Sequence, residues 1–167
     1  MLAEDSVRLR VGVTGHQRRR GADWSWVEAE LGRELNAHAS SLEGWTSLAA
    51  GTDQIFARVV LQLGGDLVAV VPIRNYERFF AAPDQLGEYH RLLSRCVRTV
   101  QLDAPDSGQA FGAAGHRIVD ECQQMLAVWD GLPARSPGST GDVVEYARTL
   151  HRPITILDPI ARTVRHN

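Results

Sequence analysis

The sequence predicts an α/β protein: a Rossmann-like, doubly wound three-layer α/β/α sandwich with a mainly parallel sheet of about six strands. Three observations predict it. Short β-rich runs alternate with longer helical stretches along the whole chain. The run "LVAVVP" is almost wholly apolar, as a strand covered on both faces should be. Several strand ends carry glycine beside a hydroxyl, and two of them run straight into a helix. That order calls for a parallel sheet with helices on both faces, joined by right-handed crossovers.

The elements follow in turn. "RLRVGVTG", Arg8 to Gly15, reads as a strand ending on glycine, and Trp24 to Leu42 as a helix with Val27, Leu31 and Leu35 on one face after an Asp23 cap. "WTSLAAG" is a second strand ending at Gly51. "TDQIFARVVLQLG" is a helix with Ile55, Val59 and Leu63 four apart, closed by Gly64 and Gly65. Leu67 to Pro72 is the third strand. A less regular section follows, helical from Pro83 with Leu86, His90 and Leu93 spaced along it. "VRTVQLD" is a strand, "FGAAGHRIVDEC" a helix, "QMLAVWDG" a strand, "GSTGDVVEYARTLH" a helix and "RPITILD" the sixth strand. The closing "ARTVRHN" reads as a short strand or a frayed tail. No repeat, low-complexity tract or linker interrupts the chain, so residues 1–167 read as one domain.

Composition narrows the function classes. Hydrophobic residues at 44% and charged residues at 23% describe an ordinary globular protein. A formal net charge of −2 argues against general nucleic-acid binding, which needs a basic excess. All 18 basic residues are arginine, so a basic phosphate contact must come from a planar guanidinium, and no lysine can serve as base or Schiff-base former. Cys96 and Cys122 lack CxxC spacing and read as buried free thiols. No HxxxH or HxH pattern occurs, so no metal is expected, and no cofactor either. The N-terminus has acidic residues before its apolar run and lacks an h-region, and no run is long enough to span a membrane, so a cytoplasmic protein with no membrane partner is expected.

In this fold class ligands lie beyond the carboxyl ends of the strands, near the switch in strand order. Thr14, Gly15, His16 and Gln17 follow the first strand, and Gly51, Thr52 and Asp53 the second. Arg74 lies beyond the third. Asp130 and Gly131 end the fifth, and Gly138, Ser139, Thr140 and Gly141 open the helix after it. A helix start offers unpaired N–H groups and partial positive charge, glycine lets an anion approach, and serine and threonine add hydroxyls. Each of the two helix starts also reads as a plain N-cap with a first-turn acid, Asp53 or Asp142. Both on one crevice favour a phosphate cradle. His16 reads as a ligand contact, Arg18 and Arg74 as phosphate contacts, and Arg19 and Arg20 as solvated surface. Asp130 is placed to bind a ribose hydroxyl or orient a water, although Asp-Gly is also a turn pair. The tryptophans at 24, 26 and 45 read as packing residues, and Trp129 as core bordering the pocket. The first loop is not GxGxxG and no Walker A lysine exists, which excludes an ordinary NAD dehydrogenase and P-loop chemistry.

Taken in order, "VGVTGH", "SLAAGTDQIFARVVLQLGGDLVAVVP", "YERFF", "MLAVWDG", "GSTGDVVEYAR" and "RPITIL" resemble the SLOG superfamily, the Rossmann-like group that includes the DprA/Smf proteins and the LOG phosphoribohydrolases. The likeness runs from about Arg8 to Leu157 and is closest to stand-alone YpsA-like members. It implies a nucleotide-type ligand at the strand tips, held by the two glycine-rich helix starts. Some members of the group cleave the N-glycosidic bond of nucleoside monophosphates, and others resemble sensors of nucleotide second messengers. The LOG motif GGxGTxxE places a catalytic glutamate three residues after threonine, where this chain has Val143, with Glu145 two residues later.

The leading expectation is therefore binding or sensing of a nucleotide or nucleotide-derived small molecule, with a homo-oligomer or an effector protein as output partner. The alternative is a phosphoribohydrolase in which Asp130, Asp142 or Glu145 assists attack of water on the anomeric carbon. A third is an interaction module with a vestigial pocket.

Overall fold

The computed structural model describes residues 7–167, and the acidic N-terminal stretch that argued against a signal peptide lies largely outside them. Seven strands and five α-helices alternate: β1 Leu9–Gly15, α1 Trp24–Asn36, β2 Leu42–Thr46, α2 Thr52–Gln62, β3 Asp66–Val71, α3 Pro83–Leu93, β4 Arg98–Gln101, α4 Ser107–Glu121, β5 Gln124–Val128, α5 Thr140–Thr149, β6 Ile154–Asp158 and β7 Thr163–His166. Two 3₁₀ turns, Ala39–Ser41 and Tyr76–Phe79, fill in between. The sheet runs β4-β3-β2-β1-β5-β6-β7. Every pairing is parallel except β6 with β7. The sheet thus has seven strands rather than about six, because "ARTVRHN" turns back along β6 and pairs from Thr163 onward.

The side-chain period of the strands sorts the core into two layers. Leu67, Ala69 and Val71 of β3 pack with Val27, Leu31 and Leu35 of α1, with Phe56 and Val60 of α2 and with Leu92 of α3. Val68 and Val70 of the same strand join Ala114 and Ile118 of α4 and Val143, Val144 and Ala147 of α5 on the other side. This is the expected three-layer sandwich. β3 is covered on both faces, which explains its apolar run.

Several boundaries differ from the sequence expectation. α1 ends at Asn36, and the chain reaches β2 through a 3₁₀ turn. β2 begins at Leu42 and stops at Thr46, because Leu48 takes a left-handed backbone (φ 57°) and its N–H donates to Thr46 Oγ1 at 3.0 Å. α4 begins at Ser107, four residues early, where Asp106 accepts the Gln109 N–H at 2.8 Å as a side-chain cap. Both cysteines are free, Cys122 buried and Cys96 half-buried, and burial pushes the Cys96 thiol up to about 11. No described helix is long and apolar enough to cross a membrane.

The strand order runs outward in opposite directions from β1 and β5, which are neighbours. Their carboxyl ends meet, with Gly15 opposite Val128. The switch-point crevice therefore opens between the loop after β1 and the loop after β5.

Candidate functional site

A cleft of about 290 Å³ occupies that crevice. Thr14, Gly15 and Gln17 line it from β1, Asp53 and Tyr76 from the far side, Phe111 and Ala114 from α4, and Gly138, Ser139 and Val143 from the start of α5. Asp53 forms part of its floor. Its carboxylate accepts the amides of Ser47 at 3.2 Å and Ala49 at 3.3 Å. Burial nevertheless dominates and pushes its pKa up to about 6, against the pull of the Ala49, Thr46 and Ser47 donors. Burial also raises the Tyr76 hydroxyl, and the Asp53 charge adds to that shift.

On the other side of Ser139 lies a second hollow of about 230 Å³, lined by His16, Arg18, Arg19, Arg135 and the first residues of α5, with Trp129 at its wall. Arg19 is not a solvated surface arginine. Its guanidinium is half-buried and lies 2.5 Å from Asp130 Oδ2, while His16 Nε2 lies 3.4 Å from Asp130 Oδ1. Desolvation raises the Asp130 pKa, but the Leu132 N–H, His16 and Arg19 outweigh it and hold the carboxyl below its usual range. Arg18 and Arg135 form no ion pair among the described residues. Four polar atoms in this neighbourhood are buried without a hydrogen-bond partner: His16 Nε2, Arg19 Nε, Asp130 Oδ2, which still faces Arg19 as an ion pair, and Ser139 Oγ. Unpaired buried polar groups are costly unless a partner completes them.

The two helix starts are not equivalent. At α2 the N-cap is Gly51, with φ +80°, and a Cβ there would stand 2.4 Å from the Gln17 carbonyl oxygen. Thr52 is fully buried, and both its N–H (3.2 Å) and its hydroxyl (2.9 Å) donate to the His16 carbonyl. A Cβ on Gly15 would press on Thr52 Oγ1 at 2.5 Å. Gly15, Gly51 and Thr52 thus fasten the first loop to α2, and neither Gly51 nor Thr52 lines the cleft. At α5, Ser139 occupies the N-cap position, but its hydroxyl makes no cap hydrogen bond. Helix geometry leaves the amides of Thr140, Gly141 and Asp142 without intrahelical acceptors. Gly138 (φ +81°) and Gly141 are close-approach glycines too: a Cβ would meet the Phe111 backbone at 2.5 Å and the Ala134 nitrogen at 2.7 Å.

Other expected residues stand apart. Asp142 accepts the Gly138 N–H at 2.8 Å and lies 3.3 Å from His116 Nε2, so its carboxylate closes its own loop. Glu145 is exposed and lines none of these hollows, whereas Val143 is buried and faces the cleft. Arg74 is exposed and 3.6 Å from Asp103, outside the crevice. Asp130 and Gly131 form the turn their residue types predict, with Asp130 Oδ1 accepting the Leu132 N–H at 3.2 Å. Arg135 escaped the sequence reading. Only its place four residues before Ser139, in an otherwise uncharged loop, marked it. No group of three His, Cys, Asp or Glu among the described residues is placed to hold a metal ion.

Solved structures with this architecture exist. The DNA processing protein A (DprA) of Streptococcus pneumoniae matches with a TM-score of 0.65 at 16% identity, over 90% of this chain and 50% of its own. DprA of Helicobacter pylori, whose structure concerns its single-stranded DNA binding mode, matches with 0.65 at 15% identity, over 91% and 66%. The molybdenum cofactor binding protein of the phototrophic bacterium Rippkaea orientalis matches with 0.61 at 14% identity, over 90% and 77%. These solved structures share the fold of this chain. The chain spans half the length of the first of these proteins and just under two thirds of the second. No protein-family model matches the sequence, and no curated protein does.

The single-stranded DNA binding of the H. pylori protein, which shares this fold, contradicts the expectation of no general nucleic-acid binding. Net charge was the wrong measure. It sums the whole surface, whereas a phosphate backbone responds to local guanidiniums, and here Arg18, Arg19 and Arg135 gather in one hollow of a chain whose total is −2.

Proposed function

We propose that this chain is a ligand-binding module of SLOG-type fold, and that its ligand is a nucleotide or nucleotide derivative held at the β1/β5 switch point. One observation carries the reading: the part-apolar cleft and the arginine-lined hollow adjoin at Ser139, whose buried hydroxyl has no partner. Phosphate would sit on the α5 N-terminus with Arg18 and Arg135 as bidentate partners, and the Ser139 hydroxyl would donate to it. Ribose and base would extend into the cleft past Thr14 and Gly15. Arg19 and Asp130 neutralise one another beside this place and hold His16 at its edge. That the fold is shared with a single-stranded-DNA-binding protein and a molybdenum cofactor binding protein supports a ligand-binding role for it.

The role is binding rather than hydrolysis. Val143 faces the cleft where the phosphoribohydrolase motif has its glutamate, Glu145 is in solvent, and Asp142 is engaged by its own loop. A thermal-shift screen over nucleoside mono-, di- and triphosphates, ADP-ribose species and cyclic dinucleotides tests the reading. A true ligand at 100 times its Kd stabilises the fold by about 2.7 kcal/mol. Absence of any shift across the panel refutes the reading, and release of free base from a nucleoside monophosphate replaces it with the hydrolase.

A further inference from the structure

The cleft has a third compartment that the phosphate and ribose contacts leave unused. Past Gln17, Ala49, Tyr76 and Phe111, which line both spaces, lies a hollow of about 150 Å³ completed by Ala50, Phe79 and Phe80. The three spaces form a row: a basic hollow, a mixed cleft and an aromatic hollow, joined at Ser139 on one side and at Gln17 on the other.

The aromatic end is not simply core. Tyr76 and Tyr89 are buried and pack edge to face at 5.4 Å, and Phe80 adds to that cluster. Phe79, in contrast, is 38% exposed, and Phe111 is only half-buried. These two rings meet edge to face, with centroids 5.0 Å apart at 88°, on the rim of the hollow. The Arg78 guanidinium lies 4.9 Å from the Phe79 centroid and adds a cation to the same rim. Between rim and cleft stands Gln17, exposed, with a side-chain amide that offers both a donor and an acceptor. Exposed aromatic rings beside an amide are what a flat, nitrogen-bearing ring needs: faces to stack on and a group to read its edge.

We propose that the aromatic hollow takes the planar heterocycle of the ligand, stacked on Phe79 with Phe111 perpendicular at its edge, with Gln17 as the residue that selects among heterocycles. The assignment rests on the nucleotide reading of the neighbouring cleft and adds the direction in which the ligand lies: anionic end at Arg18 and Arg135, ring end at Phe79. It makes Phe79 a contributor to affinity and Gln17 a determinant of specificity.

Calorimetric titration with AMP, GMP, CMP, UMP and ribose 5-phosphate, which has no base, tests it on the wild-type chain and on Phe79→Ala and Gln17→Leu. Both side chains are exposed, and melting curves check that the variants fold. At least one nucleoside monophosphate should bind about tenfold more tightly than ribose 5-phosphate, the scale of one base–aromatic stack. Phe79→Ala should erase that difference and leave ribose 5-phosphate binding unchanged, while Gln17→Leu should reorder the four bases. A nucleotide that binds wild type and both variants alike overturns the assignment while the nucleotide reading stands. If neither the nucleotides nor ribose 5-phosphate bind, the nucleotide reading falls and this one with it.

Discussion

At the start of α2 the sequence has Gly51, Thr52 and Asp53, and at the start of α5 it has Ser139, Thr140, Gly141 and Asp142. Both put glycine, a hydroxyl and an acid on the first turn of a helix beside the same crevice. The fold closes one and leaves the other open. The α2 hydroxyl and its amide both bond the His16 carbonyl, and the acid beside them is folded inward under the loop that follows β2. At α5 the N-cap hydroxyl is buried with no partner, and the arginines of two loops converge nearby. The difference lies in the neighbour. The loop leaving β1 lies across α2 and satisfies it, while α5 starts on the opposite side of the switch point. A glycine-rich helix start is therefore open to a ligand only where no other part of the chain has taken its donors.

The contrast can be broken most forcefully at Gly51. Its positive φ and the 2.4 Å approach to the Gln17 carbonyl leave no room for a methyl group. Gly51→Ala should destabilise the fold by roughly 2–4 kcal/mol in urea unfolding, the range for forced backbone strain with a clash. A loss below about 0.5 kcal/mol, the scale of ordinary surface substitutions, would show that the closed start is loosely held.

Asp53 sharpens the comparison through pH. Its folded pKa, raised to about 6, lies above the unfolded value near 3.8, so the folded protein binds the proton more tightly. The stability from this group is fully present below pH 3.8 and is lost as pH rises through 6. Asp53→Asn should flatten that fall, which is worth up to about 3 kcal/mol at 1.36 kcal/mol per pKa unit. Urea titrations of both proteins from pH 3.5 to pH 7 read the slope directly, and parallel slopes would contradict the buried placement.

The smallest stability effects and the clearest division of labour come from the two hydroxyls. Thr52→Val removes the bond to the His16 carbonyl and should cost about 1–2 kcal/mol. Ser139→Ala removes a hydroxyl that bonds nothing and should leave stability unchanged or raise it by up to about 1 kcal/mol, while weakening binding of a phosphate-bearing ligand severalfold. Equal stability losses in both variants would erase the distinction between a closed and an open helix start.

Much of the fold was legible in the sequence because strand burial and helix amphipathicity leave periods of two and of about 3.6 in the residues themselves. The run at β3 and the faces of α1 and α2 are direct prints of the two core layers. The end of β2 was not legible, since it depends on a left-handed leucine that no propensity favours. The seventh strand depends on a long-range pairing of Thr163–His166 with β6. At the site, Thr14, Gly15, Asp53, Gly138 and Ser139 reach the cleft, and His16, Arg18, Thr140 and Gly141 reach the hollow beside it. Arg135 carried no pattern of its own, being a single residue in a loop, while Gln17 stood in the loop after the first strand and Phe79 in the "YERFF" stretch without a role.

Sequence alone determined the alternation of elements, the absence of lysine that leaves any basic phosphate contact to guanidiniums, and the loops that follow the strand ends. Tertiary structure decided which loop residues are consumed in holding the protein together and which are left unsatisfied. The reason is that a donor's partner is fixed by distance in space: Thr52 and His16 are 36 residues apart and bonded, whereas Ser139, with the same chemistry, ends among arginines with no acceptor at all.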